Sequence, residues 1–136
     1  MKLPTDRELM LEAQRARLSA YAPYSHFFVG AALLAASGKV YLGCNIENAA
    51  YGPTNCAERT AFFKAVSEGE REFLAIAITG GREGAPPAFC APCGVCRQVM
   101  AEFCKGDFRV LLGNAEDIKP YTLSQLLPVT FDKETL

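Results

Sequence analysis

The segment that most limits what this 136-residue chain can fold into is Phe73-Leu74-Ala75-Ile76-Ala77-Ile78-Thr79, seven residues with no charge. A continuous apolar run of this length fits a strand buried on both faces, which requires a covering layer on each side. The flanking sequence supplies those layers. Thr5-Asp6-Arg7-Glu8 reads as a capping box, and Leu9, Ala13, Ala16 and Ala20 then recur at helical spacing, predicting an amphipathic helix ended by Pro23. Residues 27–36 and 39–46 flank Ser37-Gly38 and predict two antiparallel strands joined by a two-residue turn. Thr54 and Asn55 precede a second helix over residues 56–68, with Ala57, Ala61, Phe62, Ala65 and Val66 on its apolar face and Gly69 as its stop.

Beyond the apolar run, residues 80–87 form a predicted loop of glycines and prolines. Val95, Val99, Met100 and Phe103 predict a third helix after Pro92. Residues 108–112 and 118–122 predict two more strands, and residues 122–127 a short last helix stopped by Pro128. The order α-β-β-α-β-α-β-β-α predicts an α/β protein of three layers, α/β/α, with a mixed five-stranded sheet, in a single domain over residues 1–136.

Fourteen basic and fifteen acidic residues leave a net charge of -1, which argues against a phosphate-binding face. Nucleic acid and membrane are therefore not expected as partners. Lys2-Leu3-Pro4-Thr5-Asp6 turns polar at once and no apolar run approaches the roughly 20 residues of a membrane span, so the expected location is cytoplasmic. Six cysteines in such a chain are expected to be thiols or metal ligands rather than disulfides.

Cys56-Ala57-Glu58 opens the second predicted helix and Pro92-Cys93-Gly94-Val95-Cys96 opens the third. A thiol at a helix start faces unpaired backbone amides and the positive end of the helix dipole, which favours the thiolate that zinc requires. The spacing of Cys93 and Cys96 lets both sulfurs reach one ion, with Cys56 arriving from elsewhere in the chain. Three protein ligands leave a fourth position for water, as in a catalytic zinc site. Glu58, two residues from Cys56, can serve as a proton shuttle beside the metal without displacing a ligand. Hydrolytic removal of an amino group from a heterocycle needs these parts. The competing reading is a non-catalytic, structural-zinc interaction module in which Cys90 closes the fourth position. An iron–sulfur run starting at Cys90 fails because its fourth cysteine would fall at Met100. His26 is left outside the ligand set, and Cys44 and Cys104 are expected to pack as small apolar residues.

Cys56-Ala57-Glu58 followed by Pro92-Cys93-Gly94-Val95-Cys96 resembles the cytidine deaminase family, in the all-cysteine ligand set of its small tetrameric form. Tyr24-Ser25-His26-Phe27-Phe28-Val29-Gly30 and Gly43-Cys44-Asn45-Ile46-Glu47-Asn48-Ala49 are similar to that family's nucleoside-binding segments. The resemblance implies a hydrolase that converts cytidine, and with it deoxycytidine, to the uridine product and ammonia in pyrimidine salvage. It implies one zinc per chain on Cys56, Cys93 and Cys96, with Glu58 catalytic. Phe27 would stack on the pyrimidine, Asn45 and Glu47 would bind ribose hydroxyls, and Ala57 and Phe131 would also contact the nucleoside. Arg59 would neutralise thiolate charge. A homotetramer with active sites at subunit contacts is implied as well. Another cytosine-bearing nucleoside, such as an antibiotic, is an alternative substrate.

Overall fold

A computed structural model describes residues 2–136. Thr5 caps the first helix, α1 (Asp6–Arg17), with both arms of the capping box formed. The helix ends six residues before Pro23, so Ala20 lies outside it. Its last turn tightens as the amides of Leu18, Ser19 and Ala20 donate to the carbonyls of Arg15, Ala16 and Arg17, and the amide of Tyr21 then pairs with the Asn45 carbonyl. Strands β1 (Phe27–Ala35) and β2 (Val40–Cys44) pair antiparallel, from Leu34 opposite Val40 to Gly30 opposite Cys44. Their connection has four residues, 36–39, rather than two. Ala35 pairs with Lys39, the Ala36 amide goes instead to the Glu72 carbonyl, and Gly38 takes a φ of 94°.

Helix α2 (Ala57–Ser67) leads into β3 (Phe73–Arg82), which runs three residues past the predicted strand and takes in Gly80 and Gly81. These glycines serve close packing, not a turn. A Cβ on Gly80 would lie 2.9 Å from the Cys90 Cβ, and one on Gly81 would lie 2.8 Å from both Arg17 Nη2 and the Pro86 carbonyl oxygen. Helix α3 (Gly94–Phe103), β4 (Arg109–Asn114), β5 (Asp117–Thr122) and α4 (Leu123–Leu126) complete the chain. Val95, expected on the apolar face of α3, is exposed, whereas its neighbour Cys96 is the residue of that turn that is buried.

The sheet has five strands in the order β2-β1-β3-β4-β5, with β3 and β4 parallel and the other neighbours antiparallel. It is the expected mixed sheet. Leu9, Met10 and Ala13 of α1 pack on one face against Ala32, Ala77 and Leu111. Ala57, Ala61, Phe62 and Met100 of α2 and α3 pack on the other against Ala31, Leu33, Ile76 and Ile78. Residues 75–81 of β3 are buried, as a strand between two layers must be. No helix among the described residues is long and apolar enough to cross a membrane.

Two glycines let the layers touch backbone to backbone. A Cβ on Gly30 would stand 2.1 Å from the Ala13 carbonyl oxygen, and one on Gly43 would stand 2.2 Å from the Ala57 carbonyl oxygen and 2.6 Å from the Ala61 nitrogen. The start of α2 is therefore seated directly on β2. Gly43→Ala must push that helix outward and is expected to cost about 1–3 kcal/mol. Gly52, where a Cβ would meet nothing within 4 Å, is expected to accept alanine within about 0.5 kcal/mol. Thermal unfolding of the two variants checks the contrast.

Candidate active site

Cys56 and Cys93 occupy the same position in two helices. Each is the N-cap, with extended backbone angles (φ -78°, ψ 157° and φ -70°, ψ 167°), and neither thiol caps its helix. Their carbonyls accept the first helical hydrogen bonds, from the Thr60 amide at 3.1 Å and the Arg97 amide at 3.0 Å. Both side chains stay free. Cys96, in the first turn of α3, is buried and completes the group.

The sulfurs of Cys56, Cys93 and Cys96 all lie within 4.8 Å of one another. Cys93 Sγ is 3.7 Å from Cys56 Sγ and 3.5 Å from Cys96 Sγ. Two sulfurs bound at about 2.3 Å to a tetrahedral zinc stand about 3.8 Å apart, so the group fits that ion with little adjustment. It is the one such cluster among the described residues, and Cys90 is not part of it.

Charge in the cluster is shared unevenly. A hydrogen bond from Cys96 holds the Cys56 thiol down, to about 5, against the effect of burial, and Arg59 Nη2 adds a further bond at 3.3 Å to Cys56 Sγ. Cys96, the donor of that pair, is pushed up by the same bond and by burial. Burial works against the Arg59 guanidinium charge, but its hydrogen bonds to Cys56 and Cys96 outweigh it and raise its pKa. Arg59, expected beside a thiolate, contacts the Cys56 sulfur.

Glu58 is 4% exposed, and burial pushes its carboxyl up to about 7, with the charge of Cys56 acting in the same direction. A carboxyl in this state can both take and give a proton near neutral pH. Burial also pushes Cys90 up to about 11, and the charges of Glu58 and Cys56 contribute, so its thiol borders the same space. The Phe27 ring lies there too. Its Cε2 and Cys90 both approach Gly80, at 3.0 Å and 2.9 Å from a Cβ built there. Alternation along β1 puts Phe27 on the face it shares with Val29, Ala31 and Leu33, the α2 side, whereas Gly30 faces α1. Which of the two adjacent rings faces the site is settled by this register.

The segment from Asn45 to Glu47 is stitched on both sides. Tyr21 pairs with it through the amides of Tyr21 and Glu47, and Ile46 exchanges two bonds of 2.9 Å with Asn55, the residue before Cys56. The Asn45 amide accepts from the Val29 amide at 2.9 Å and donates to the Phe27 carbonyl at 2.8 Å. Glu47 accepts from the amides of Tyr24 and Ser25, and from the Ser25 hydroxyl. Both residues are anchored to the backbone that carries Phe27. An open cleft of about 290 Å³ lies beside Glu47, lined by Tyr24, Ser25, Asn48, Tyr51 and Thr54.

Ala57, the first residue of α2, is fully buried. Phe131 is 60% exposed, its carbonyl held by Gln98 Nε2 at 2.8 Å. His26 pairs with Glu83 at 3.3 Å, outside the sulfur cluster. Three residues that sequence reasoning passes over also build the site. Ser25 bridges Glu47 and Phe27, Thr60 ties α2 to β2 through the Cys44 carbonyl at 3.0 Å, and Arg97 donates to the Pro92 carbonyl at 2.9 Å just before Cys93. A lone hydroxyl or guanidinium has no spacing signature that would reveal such bonds.

A sulfur triangle at two helix starts, with a buried carboxyl beside it, marks a metal-dependent enzyme of the layered α/β class. The zinc-binding region of cytidine and deoxycytidylate deaminases matches residues 3–112. Cytidine deaminase of Sporosarcina psychrophila is 56% identical over 130 residues, covering 95% of this chain and 93% of that one. Cytidine deaminase of Halalkalibacterium halodurans is 54% identical over 133 residues, covering 96% and 98%. The crystal structure of cytidine deaminase from Burkholderia pseudomallei superposes with a TM-score of 0.86 at 49% identity, covering 94% of this chain and all of that one. The chain belongs to the cytidine and deoxycytidylate deaminase family, and zinc is its metal.

If Cys90 stands outside the metal cluster, Cys90→Ser keeps its zinc, whereas Cys93→Ser loses most of it. Metal analysis of the two purified variants checks this, and zinc loss in Cys90→Ser would count for the closed, structural site.

Proposed function

We propose that this protein is a zinc-dependent cytidine deaminase, hydrolysing cytidine and deoxycytidine to the uridine products and ammonia in pyrimidine salvage. The observation that carries the reading is the three-sulfur cluster with Glu58 buried against it. Cys56, Cys93 and Cys96 are the ligands in this account, one zinc per chain. The bound ion supplies the Lewis acidity that makes water a nucleophile at neutral pH. Glu58 would take one proton from the attacking water and pass it to the ring nitrogen, and would carry the second, from the hydroxyl added at the ring carbon, to the amine that leaves as ammonia. Phe27 stacks on the pyrimidine, Asn45 and Glu47 meet the ribose hydroxyls, and Ala57 borders the nucleoside at the start of α2.

Three thiolates on a divalent ion leave a charge of about -1, so the ion draws less on its water than one held by neutral ligands. Arg59 offsets this through its bond to Cys56. The reading extends to a cytoplasmic, single-domain protein that assembles as a homotetramer with sites at subunit contacts. The open cleft beside Glu47 and the exposed rings of Tyr51 and Phe131 support that assembly, since a small nucleoside needs walls that one chain leaves missing. In it, Phe131 reaches a neighbouring site.

Purified protein is expected to release ammonia from cytidine and to carry one zinc. Glu58→Gln is expected to keep the zinc and lose about 10²–10⁴-fold in kcat. Undiminished turnover by that variant contradicts the assigned role. Arg59→Gln is expected to lose about 10–100-fold in activity and to shift its pH profile upward. A wild-type profile with full zinc would make Arg59 a bystander.

A further inference from the structure

We propose that Ser25 is a positioning residue that sets the sugar selectivity of this site, by aiming the Glu47 carboxylate and tying it to the backbone of Phe27. The proposal rests on the reading of Glu47 as a ribose acceptor.

The direction of each hydrogen bond follows from the groups involved. The Phe27 amide can only donate, so Ser25 Oγ accepts from it, at 3.0 Å. The hydroxyl has one proton, and it goes to Glu47 Oε2. Glu47 Oε1 accepts from the amides of Tyr24 at 2.9 Å and Ser25 at 3.1 Å. All three partners of the carboxyl are donors. Glu47 is therefore held as a carboxylate, below the usual range, with the Ser25 hydroxyl bond the largest cause.

A carboxylate offers about four lone-pair directions, and three are filled here, which leaves about one, on Oε2, for a ligand. Whatever binds there must donate. A sugar hydroxyl does so, and a sugar lacking it leaves the oxygen unpaired. The Ser25 proton decides which way the free direction of Oε2 faces, because Oε1 is fixed by backbone and Oε2 has no other holder among the described residues. The same oxygen of Ser25 fixes the start of β1, so the sugar acceptor and the stacking ring keep one relative position.

The test compares cytidine with 2′,3′-dideoxycytidine in the zinc-loaded wild type, Ser25→Ala, Ser25→Thr and Glu47→Gln. Ser25→Ala is expected to raise KM for cytidine about tenfold and to reduce the preference for cytidine over the dideoxy analogue to a similar degree, with kcat within about twofold. Ser25→Thr, which keeps the hydroxyl, is expected to restore the preference. Ser25→Cys keeps the size with a weak donor and is expected to behave as the alanine variant, which gives a second reading should Ser25→Ala fold poorly. A wild-type preference in both Ser25→Ala and Ser25→Cys overturns the proposal, as does an equal fall in kcat for both substrates. Should Glu47→Gln itself keep the wild-type preference, the ribose reading of Glu47 fails. Collapse in Glu47→Gln without change in Ser25→Ala rejects Ser25 alone.

Discussion

Two helices begin at the same point in space, and each brings to it a cysteine whose thiol is not spent on capping. Three sulfurs within 4.8 Å would repel one another if all were ionised without a counter-charge. Shared protons relieve part of that conflict, with Cys56 giving up its own more readily than Cys96. A zinc ion held by all three as thiolates would remove the conflict, and its binding would then be coupled to proton release. The helix starts must already be held for that exchange to work. Gly43 seats α2 on the sheet, Thr60 bonds it to the Cys44 carbonyl, and Arg97 grips the Pro92 carbonyl at the start of α3.

The sulfur cluster sits on helices, and Phe27, Asn45 and Glu47, proposed to hold the nucleoside, sit on strand ends and connections. They meet through Ile46, which bridges Tyr21 before β1 and Asn55 before α2. This small junction links Phe27, Asn45 and Glu47 to Cys56 through a few backbone bonds. Such a site is built for position rather than for chain stability. Asn45 and Glu47 turn several of their hydrogen-bonding directions toward backbone, and few remain for any ligand.

The element order and the mixed sheet were legible because each element carries its own local signal. Thr5 and Glu8 mark a helix start, the apolar run of β3 marks a strand between two layers, and Cys56 and Cys93 stand where the chain enters a helix. What was not legible depends on partners distant in sequence. Nothing near Ala20 says that Tyr21 will leave the helix to pair with Asn45 and Glu47. Gly80-Gly81 looks like a turn until Cys90 and Arg17 are found against it. Phe27 and Phe28 are equivalent in sequence, and only the strand register separates them. Ser25 lies inside a segment that resembles a nucleoside-binding one, yet its bonds to Glu47 and Phe27 emerge only once the chain is folded.

The central claim is an open zinc centre held by three cysteines. X-ray absorption at the zinc edge of the purified protein tests it most directly, because sulfur and lighter scatterers are distinguished by strength and distance. The account predicts three sulfurs at about 2.3 Å and one oxygen or nitrogen at about 2.0–2.2 Å. Four sulfurs would mean that Cys90 closes the site, and an enzyme built on an open position would be the wrong reading.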